Sequence, residues 1–244
     1  MRKVVCMTSW PPRIKYVADC IRALRAMEPT APDEIYLTLS LEEFPRGLPD
    51  LPEDLATLAR ERKCRIIWVM WNDKAFKKVF PVLHLLEDDD LIMTCDDDVI
   101  APRDLLASRV ADFKMHGGKY PISSNNQMSF YGARIINPTA VFTKRMLAHW
   151  DEWVTKEVMY TYNDDRTYLW AMYLNGYIAK PCTKYSIDST CATGIRLSRL
   201  ALPQPMTAGG VHLIGTAYDD VVLPIIEKMT GRSIRKSFGY FKNQ

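Results

Sequence analysis

The sequence predicts an α/β fold, a single domain built on a mostly parallel central sheet flanked by helices. Three observations point there. Short apolar runs without polar alternation recur along the chain, as expected of strands covered on both faces. Segments with apolar residues at helical spacing separate them, which implies β-α-β units with right-handed crossovers. The length of 244 residues suits one sizeable core and is marginal for two.

The elements follow in order. Residues 4–7 read as a buried strand, which Thr8, Ser9 and the Pro11-Pro12 pair break into a loop. Val17, Ile21 and Leu24 recur at helical spacing in a helix over 16–26. Residues 35–39 form a second strand, and 53–61 a helix with acidic residues in its first turn. Residues 65–70 and 91–94 are the third and fourth strands, and Pro102 and Asp104 start a helix over 105–113. Residues 117–132, rich in Gly, Ser and Asn, read as loop; 134–142 are extended, and Thr143 caps a helix to Trp150. Asn163-Asp164-Asp165 precedes a helix over 168–174, closed by Gly176, and the remainder is irregular.

Composition narrows the classes. With 32 basic and 29 acidic side chains the net charge is +3, which makes nucleic acid an unlikely main partner. The six cysteines, Cys6, Cys20, Cys64, Cys95, Cys182 and Cys191, form no C-x-x-C pair, and a reducing compartment is expected. The start MRKVVCMTSW is too short and too broken for a signal peptide or membrane span, so a cytoplasmic protein is expected. The tail places Arg232, Arg235, Lys236 and Lys242 among Phe238, Tyr240 and Phe241, a pattern suited to peripheral contact with the inner membrane face or to a packed terminus.

The residues with chemistry sit mostly after strands, where an open parallel sheet binds its ligands. An apolar strand delivers Asp96-Asp97-Asp98 to its carboxyl end. Three adjacent carboxylates repel, and Mn²⁺ or Mg²⁺ would relieve them. In an extended segment alternate residues face one way, so Asp96 and Asp98 would address one site. A solvated acidic turn is the plainer alternative, and it is the reading for Glu87-Asp88-Asp89-Asp90, which precede the strand. Asp164 and Asp165 suit a helix start electrostatically, and a carboxylate there can also take a proton from an acceptor hydroxyl. His212 suits either a Mn²⁺ site or a hydrogen-bonded core. Lys77 and Lys78 suit either a diphosphate or a solvated helix face. No Walker loop, G-x-G-x-x-G, H-E-x-x-H or G-x-S-x-G motif occurs.

Taken in order, residues 3–180 resemble the GT-A fold glycosyltransferases, a Rossmann-like architecture, and especially small bacterial family-2-like inverting enzymes. Thr8-Ser9-Trp10-Pro11-Pro12-Arg13 looks like their nucleotide-binding loop, and Lys78-Val79-Phe80-Pro81 like their lysine-x-x-proline segment. Thr94-Cys95-Asp96-Asp97-Asp98-Val99 is similar to their D-x-D strand. Asp164-Asp165, with Leu169 and Gly176, resembles their Glu-Asp helix start, with Asp in place of Glu. The resemblance implies sugar transfer from a nucleotide diphosphate sugar, UDP-sugar by default, to a hydroxyl of a glycan or lipid-linked glycan in surface polysaccharide synthesis. It also implies a nucleotide-binding half over 1–100 and an acceptor-binding half with the C-terminal tail over 101–244, and Thr8, Ser9, Arg13, Lys78, Asp96 and Asp97 would hold the donor. Asp98 and Asp96, with His212, would hold Mn²⁺ or Mg²⁺, and Asp165 would be the base of an inverting displacement. Two alternatives stand beside it: a nucleotidyltransferase making nucleotide sugars, which would carry a Gly-rich loop where Pro11-Pro12 stands, and a non-catalytic binding subunit.

Overall fold

A computed structural model describes residues 1–124, 134, 136, 139–161, 163–185, 195–196 and 216–234. Its first four strands are β1 (Lys3–Thr8), β2 (Glu34–Ser40), β3 (Arg65–Val69) and β4 (Leu91–Thr94). They are separated by α1 (Val17–Arg25), α2 (Glu53–Arg60) and two short 3₁₀ segments, Lys74–Lys78 and Phe80–Leu85. Then come β5 (Val99–Ile100), α3 (Leu105–Met115), β6 (Ile122–Ser123), β7 (Val141–Thr143), α4 (Lys156–Met159), α5 (Asp164–Leu174), β8 (Lys180–Pro181), β9 (Ile195–Arg196) and α6 (Thr216–Thr230).

Seven strands form one sheet in the order β3-β2-β1-β4-β7-β6-β8, and β5 pairs with β9 apart from it. Strands β3, β2, β1 and β4 are mutually parallel; β7 is antiparallel to both β4 and β6, and β6 is parallel to β8. Only β7 therefore runs against the rest of the sheet. Cys6 pairs with Thr94 and Thr8 with Thr38, so the carboxyl ends of β1, β2 and β4 share one edge. The apolar runs are buried on both faces because helices cover both. From α1, Val17, Cys20, Ile21 and Leu24 enter the core.

Several local expectations change. The segment 143–150 is no α-helix: Val141–Thr143 pairs antiparallel with β4, and two 3₁₀ turns, Lys144–Leu147 and Trp150–Glu152, follow, separated by His149 at φ 60°. Ile122–Ser123 forms a strand inside the expected loop. The region after Gly176 is not wholly irregular, since α6 spans Thr216–Thr230 despite Pro224. Asp90 is no solvated turn residue; it is buried and bridged to Arg2 at 2.6 Å, while Asp88 and Asp89 are exposed. Cys6, Cys20, Cys64 and Cys95 are buried free thiols, Cys182 is a half-buried free thiol, and Cys191 lies outside the described residues. No helix among the described residues is long and apolar enough to cross a membrane. From the basic tail, Arg232 donates to Leu174 O at 3.1 Å, whereas 235–244 lie outside the described residues.

A buried polar cluster joins α6 to α5. Arg166 Nη1 lies 2.7 Å from Asp219 Oδ2, Trp170 Nε1 donates to Asp219 Oδ1 at 2.9 Å, and the Thr167 and Tyr218 hydroxyls meet at 2.5 Å. Removing the carboxylate would strand a buried guanidinium and an indole N–H together. Asp219→Ala should cost about 3 kcal/mol or more, read as a lowered urea midpoint. An unchanged midpoint would show that α6 does not depend on this cluster.

Candidate active site

The loop after β1 turns sharply, with Arg13 N and Ile14 N both donating to Trp10 O at 3.0 Å, and the two prolines fix its φ angles. The turn carries Arg13 back over the sheet edge. Its Nη2 lies 2.8 Å from Asp97 Oδ1 and 2.7 Å from Asp98 Oδ2, and Ser9 Oγ donates to Asp97 Oδ2 at 2.6 Å. All four residues are buried. Burial pushes the Asp97 carboxyl up to about 6, against the pull of Arg13 and Ser9 and with a further push from Asp96 and Asp98. Thr8 takes no part in this cluster; its hydroxyl donates to Thr38 O at 2.8 Å and ties β1 to β2.

A second cation closes the other side. The 3₁₀ segment Lys74–Lys78 packs against β1 and β2. Lys78 Nζ donates to Asp96 Oδ1 at 3.0 Å and lies 3.3 Å from Asp164 Oδ2, an electrostatic contact not aligned as a hydrogen bond. Burial lowers the Lys78 ammonium, but Asp164, Asp96 and Asp165 outweigh it and hold it well above its ordinary value. Asp164 opens α5 behind the N-cap Asn163, whose side chain accepts from Arg166 N at 3.1 Å. Asp165, the next residue, is half-buried. Lys77 is also buried, paired with Glu43 and donating to Asn72 Oδ1 at 2.8 Å.

The expected alternation of Asp96 with Asp98 does not hold. The strand ends at Thr94 and the chain turns at Asp97-Asp98, so Asp97 and Asp98 converge on Arg13 while Asp96 meets Lys78. The solvated face considered for Lys77 and Lys78 fails as well. Phe76, Val79 and Phe80, all buried and adjacent to the lysines, were the sequence signal for it. Glu43 and Asp164 as counter-charges to buried lysines were not legible from spacing. His212 lies outside the described residues.

Trp10 Nε1 and Arg13 Nε on the loop after β1, Asp98 Oδ1 on the acidic run and Asp164 Oδ2 at the start of α5 are buried without a hydrogen-bond partner. Native interiors rarely leave such groups unmade, and gathered at one edge of the sheet they mark a place for a ligand, ion or water. Among the described residues no three His, Cys, Asp or Glu groups form a metal cage. A Mg²⁺-type ion at a nucleotide site needs fewer, since one or two carboxylates and the substrate phosphates suffice. The open oxygen of Asp98 fits such an ion.

No family model and no curated protein matches the chain. Its shape does match solved structures. S. aureus TarS residues 1–349 in complex with UDP superposes with a TM-score of 0.54 at 12% identity, over 98% of this chain and 74% of that one. The chain spans only 45% of a longer TarS structure. Glucosyl-3-phosphoglycerate synthase from Mycobacterium tuberculosis in complex with UDP gives 0.51 at 10% identity, over 93% and 80%. A 4-diphosphocytidyl-2C-methyl-D-erythritol synthase gives 0.52 at 13% identity, over 85% and 96%. The chain has the GT-A fold.

Asp97 sets a pH dependence. A carboxyl raised from 3.8 to about 6 on folding favours the folded state when protonated. That contribution is present below pH 3.8 and lost as pH rises through about 6. It is worth about 3 kcal/mol at most. Urea denaturation of wild type and Asp97→Asn between about pH 4 and 7 should therefore show wild type losing stability relative to the variant as pH rises. A flat difference, or one of opposite sign, would reject the assignment.

Proposed function

We propose that this protein transfers a sugar from a nucleotide diphosphate sugar, with UDP as the nucleotide, to an acceptor hydroxyl. The observation that carries the reading is the incomplete polar cluster at the sheet's carboxyl edge. Buried donors on the Trp10–Arg13 loop and an open oxygen on Asp98 lack partners where a parallel sheet binds its ligands. The GT-A fold supports it, as do the UDP complexes of two proteins of similar shape.

In this reading Ser9 and Arg13 hold the donor's nucleotide and phosphates, with Thr8 shaping the loop. Asp98, through its unpartnered Oδ1, would hold Mn²⁺ or Mg²⁺ together with the donor's phosphates, and the ion would neutralise charge on the leaving diphosphate. Arg13 adds a fixed positive charge beside it. Lys78 keeps Asp96 and the start of α5 at a set separation. Asp164 serves Lys78, so the half-buried Asp165 is the carboxylate for the acceptor proton. Attack from the face opposite the diphosphate then gives inversion in a single displacement.

The nucleotidyltransferase alternative has its own support, since the erythritol synthase is as similar in shape as the transferases. Pro11-Pro12 speaks against it, because that chemistry favours a glycine-rich loop there. Titration calorimetry with UDP and GDP, each with Mn²⁺ and with chelator, tests the donor site. We expect UDP binding that needs the metal and is lost in Asp98→Ala; failure of both nucleotides to bind would reject the reading. Asp165→Asn should lower turnover about a hundred-fold or more while UDP binding persists. Turnover near the wild-type rate would remove Asp165 from the base role.

A further inference from the structure

Just beyond β3 the chain exposes large apolar side chains that the donor site does not use. Met70 and Trp71 are each 61% exposed and Tyr160 65%. Indoles are seldom left so open. The backbone holding Trp71 is fixed on both sides. Val69 O accepts from Leu41 N at 2.8 Å, Asn72 N donates to Glu42 Oε2 at 2.9 Å, and Asn72 Oδ1 accepts from the buried Lys77 at 2.8 Å. Lys156 Nζ lies 5.5 Å from the centre of the Trp71 ring. Beside it Asn72, Asp73, Lys74, Lys156, Met159 and Tyr160 line a small open groove.

We propose that Trp71 and this groove bind the glycan acceptor, a reading that rests on the sugar-transfer function above. A flat aromatic face on a fixed backbone, with the Lys156 ammonium over the ring and amide and carboxylate groups beside it, matches the chemistry of a sugar ring. Its axial C–H groups pack on the ring while its hydroxyls bond to the rim. The core of a protein interface would instead be depleted in charged residues, and four of the six lining residues here are charged or amide-bearing. The placement also suits an acceptor. The 3₁₀ segment that begins at Lys74 in the groove ends at Lys78 in the acidic site, a rise of about 8 Å at roughly 2 Å per residue. From the other side, α4 and Tyr160 precede Asp165 by a few residues. A short oligosaccharide lying on Trp71 would extend along this segment toward the acidic site. The nucleotide loop follows β1, two strands from β3 in the sheet, and UDP calorimetry on the Trp71 variants separates a nucleoside on the ring from a glycan.

The test is a glycan array probed with wild type, Trp71→Ala and Trp71→Phe in the presence of UDP and Mn²⁺, with UDP calorimetry on each. Wild type should retain a defined set of oligosaccharides, Trp71→Ala should bind them about ten-fold or more weakly, and Trp71→Phe should recover most of the loss. UDP affinity and slow donor hydrolysis by water should be the same in all three. Equal glycan retention by wild type and Trp71→Ala, or no retention by wild type, overturns the proposal. So does loss of UDP affinity in Trp71→Ala, which would give the ring to the nucleotide, and so does a concentration-dependent dimer that dissociates in Trp71→Ala. Failure of wild type to bind UDP overturns the transferase reading separately, because Trp71-dependent glycan retention is read on its own.

Discussion

Four carboxylates and two cations are buried or nearly so at one edge of this sheet, and much of the topology follows from bringing them together. Asp97 and Asp98 share Arg13, and Asp96 and Asp164 share Lys78. A carboxylate in that position without a counter-charge would cost several kcal/mol. Each partner comes from a different element. Arg13 arrives because the chain turns tightly after β1. Lys78 arrives because the segment after β3 folds back against β1 and β2, and Asp164 because α5 starts there. The acidic run thus dictates the paths of three connections, although it lies on none of them.

The same pairing explains why two neighbouring aspartates in α5 have different surroundings. Asp164 turns to Lys78, and Asp165 stays half-buried. Both gain from the helix N-terminus, while Asn163 makes the capping hydrogen bond. One carboxylate is thereby committed to holding α5 against the acidic loop, while its neighbour, which also adds its charge to the field on Lys78, has the more open surroundings that the proposed base role requires.

Much of this fold was legible in the sequence where burial is two-sided. β1, β2 and β4 are continuous apolar runs because helices cover both faces, and their limits fall within a residue or so of those expected. Legibility ends where pairing is brief or local signals mislead. Ile122–Ser123 and Lys180–Pro181 pair over two residues each, too few for any periodicity. Pro224 reads as a breaker, yet α6 continues through it with Tyr218, Asp219 and Val222 buried. In the site, the acidic run itself was legible. The geometry within it was not, because alternation assumes extended backbone and the chain turns at Asp97-Asp98. Nor was the bridge by Lys78, since it joins residues 78, 96 and 164 across three elements.

Charge counting shows what a donor would meet. Asp96, Asp97, Asp98 and Asp164 carry up to four negative charges against two positive ones from Arg13 and Lys78, and burial already drives Asp97 toward its neutral form. A diphosphate entering here would add negative charge to a site short of positive charge. In low dielectric that repulsion amounts to several kcal/mol even at an effective constant near 20. Arg13 cannot relieve it alone, because turning Nη2 to the diphosphate withdraws it from Asp97 and Asp98. At full ionisation the cluster alone is two charges short before the diphosphate arrives, and one divalent cation would offset that shortfall. That deficit, together with the unpartnered oxygen of Asp98, is the physical ground for pairing the proposed donor with Mn²⁺ or Mg²⁺.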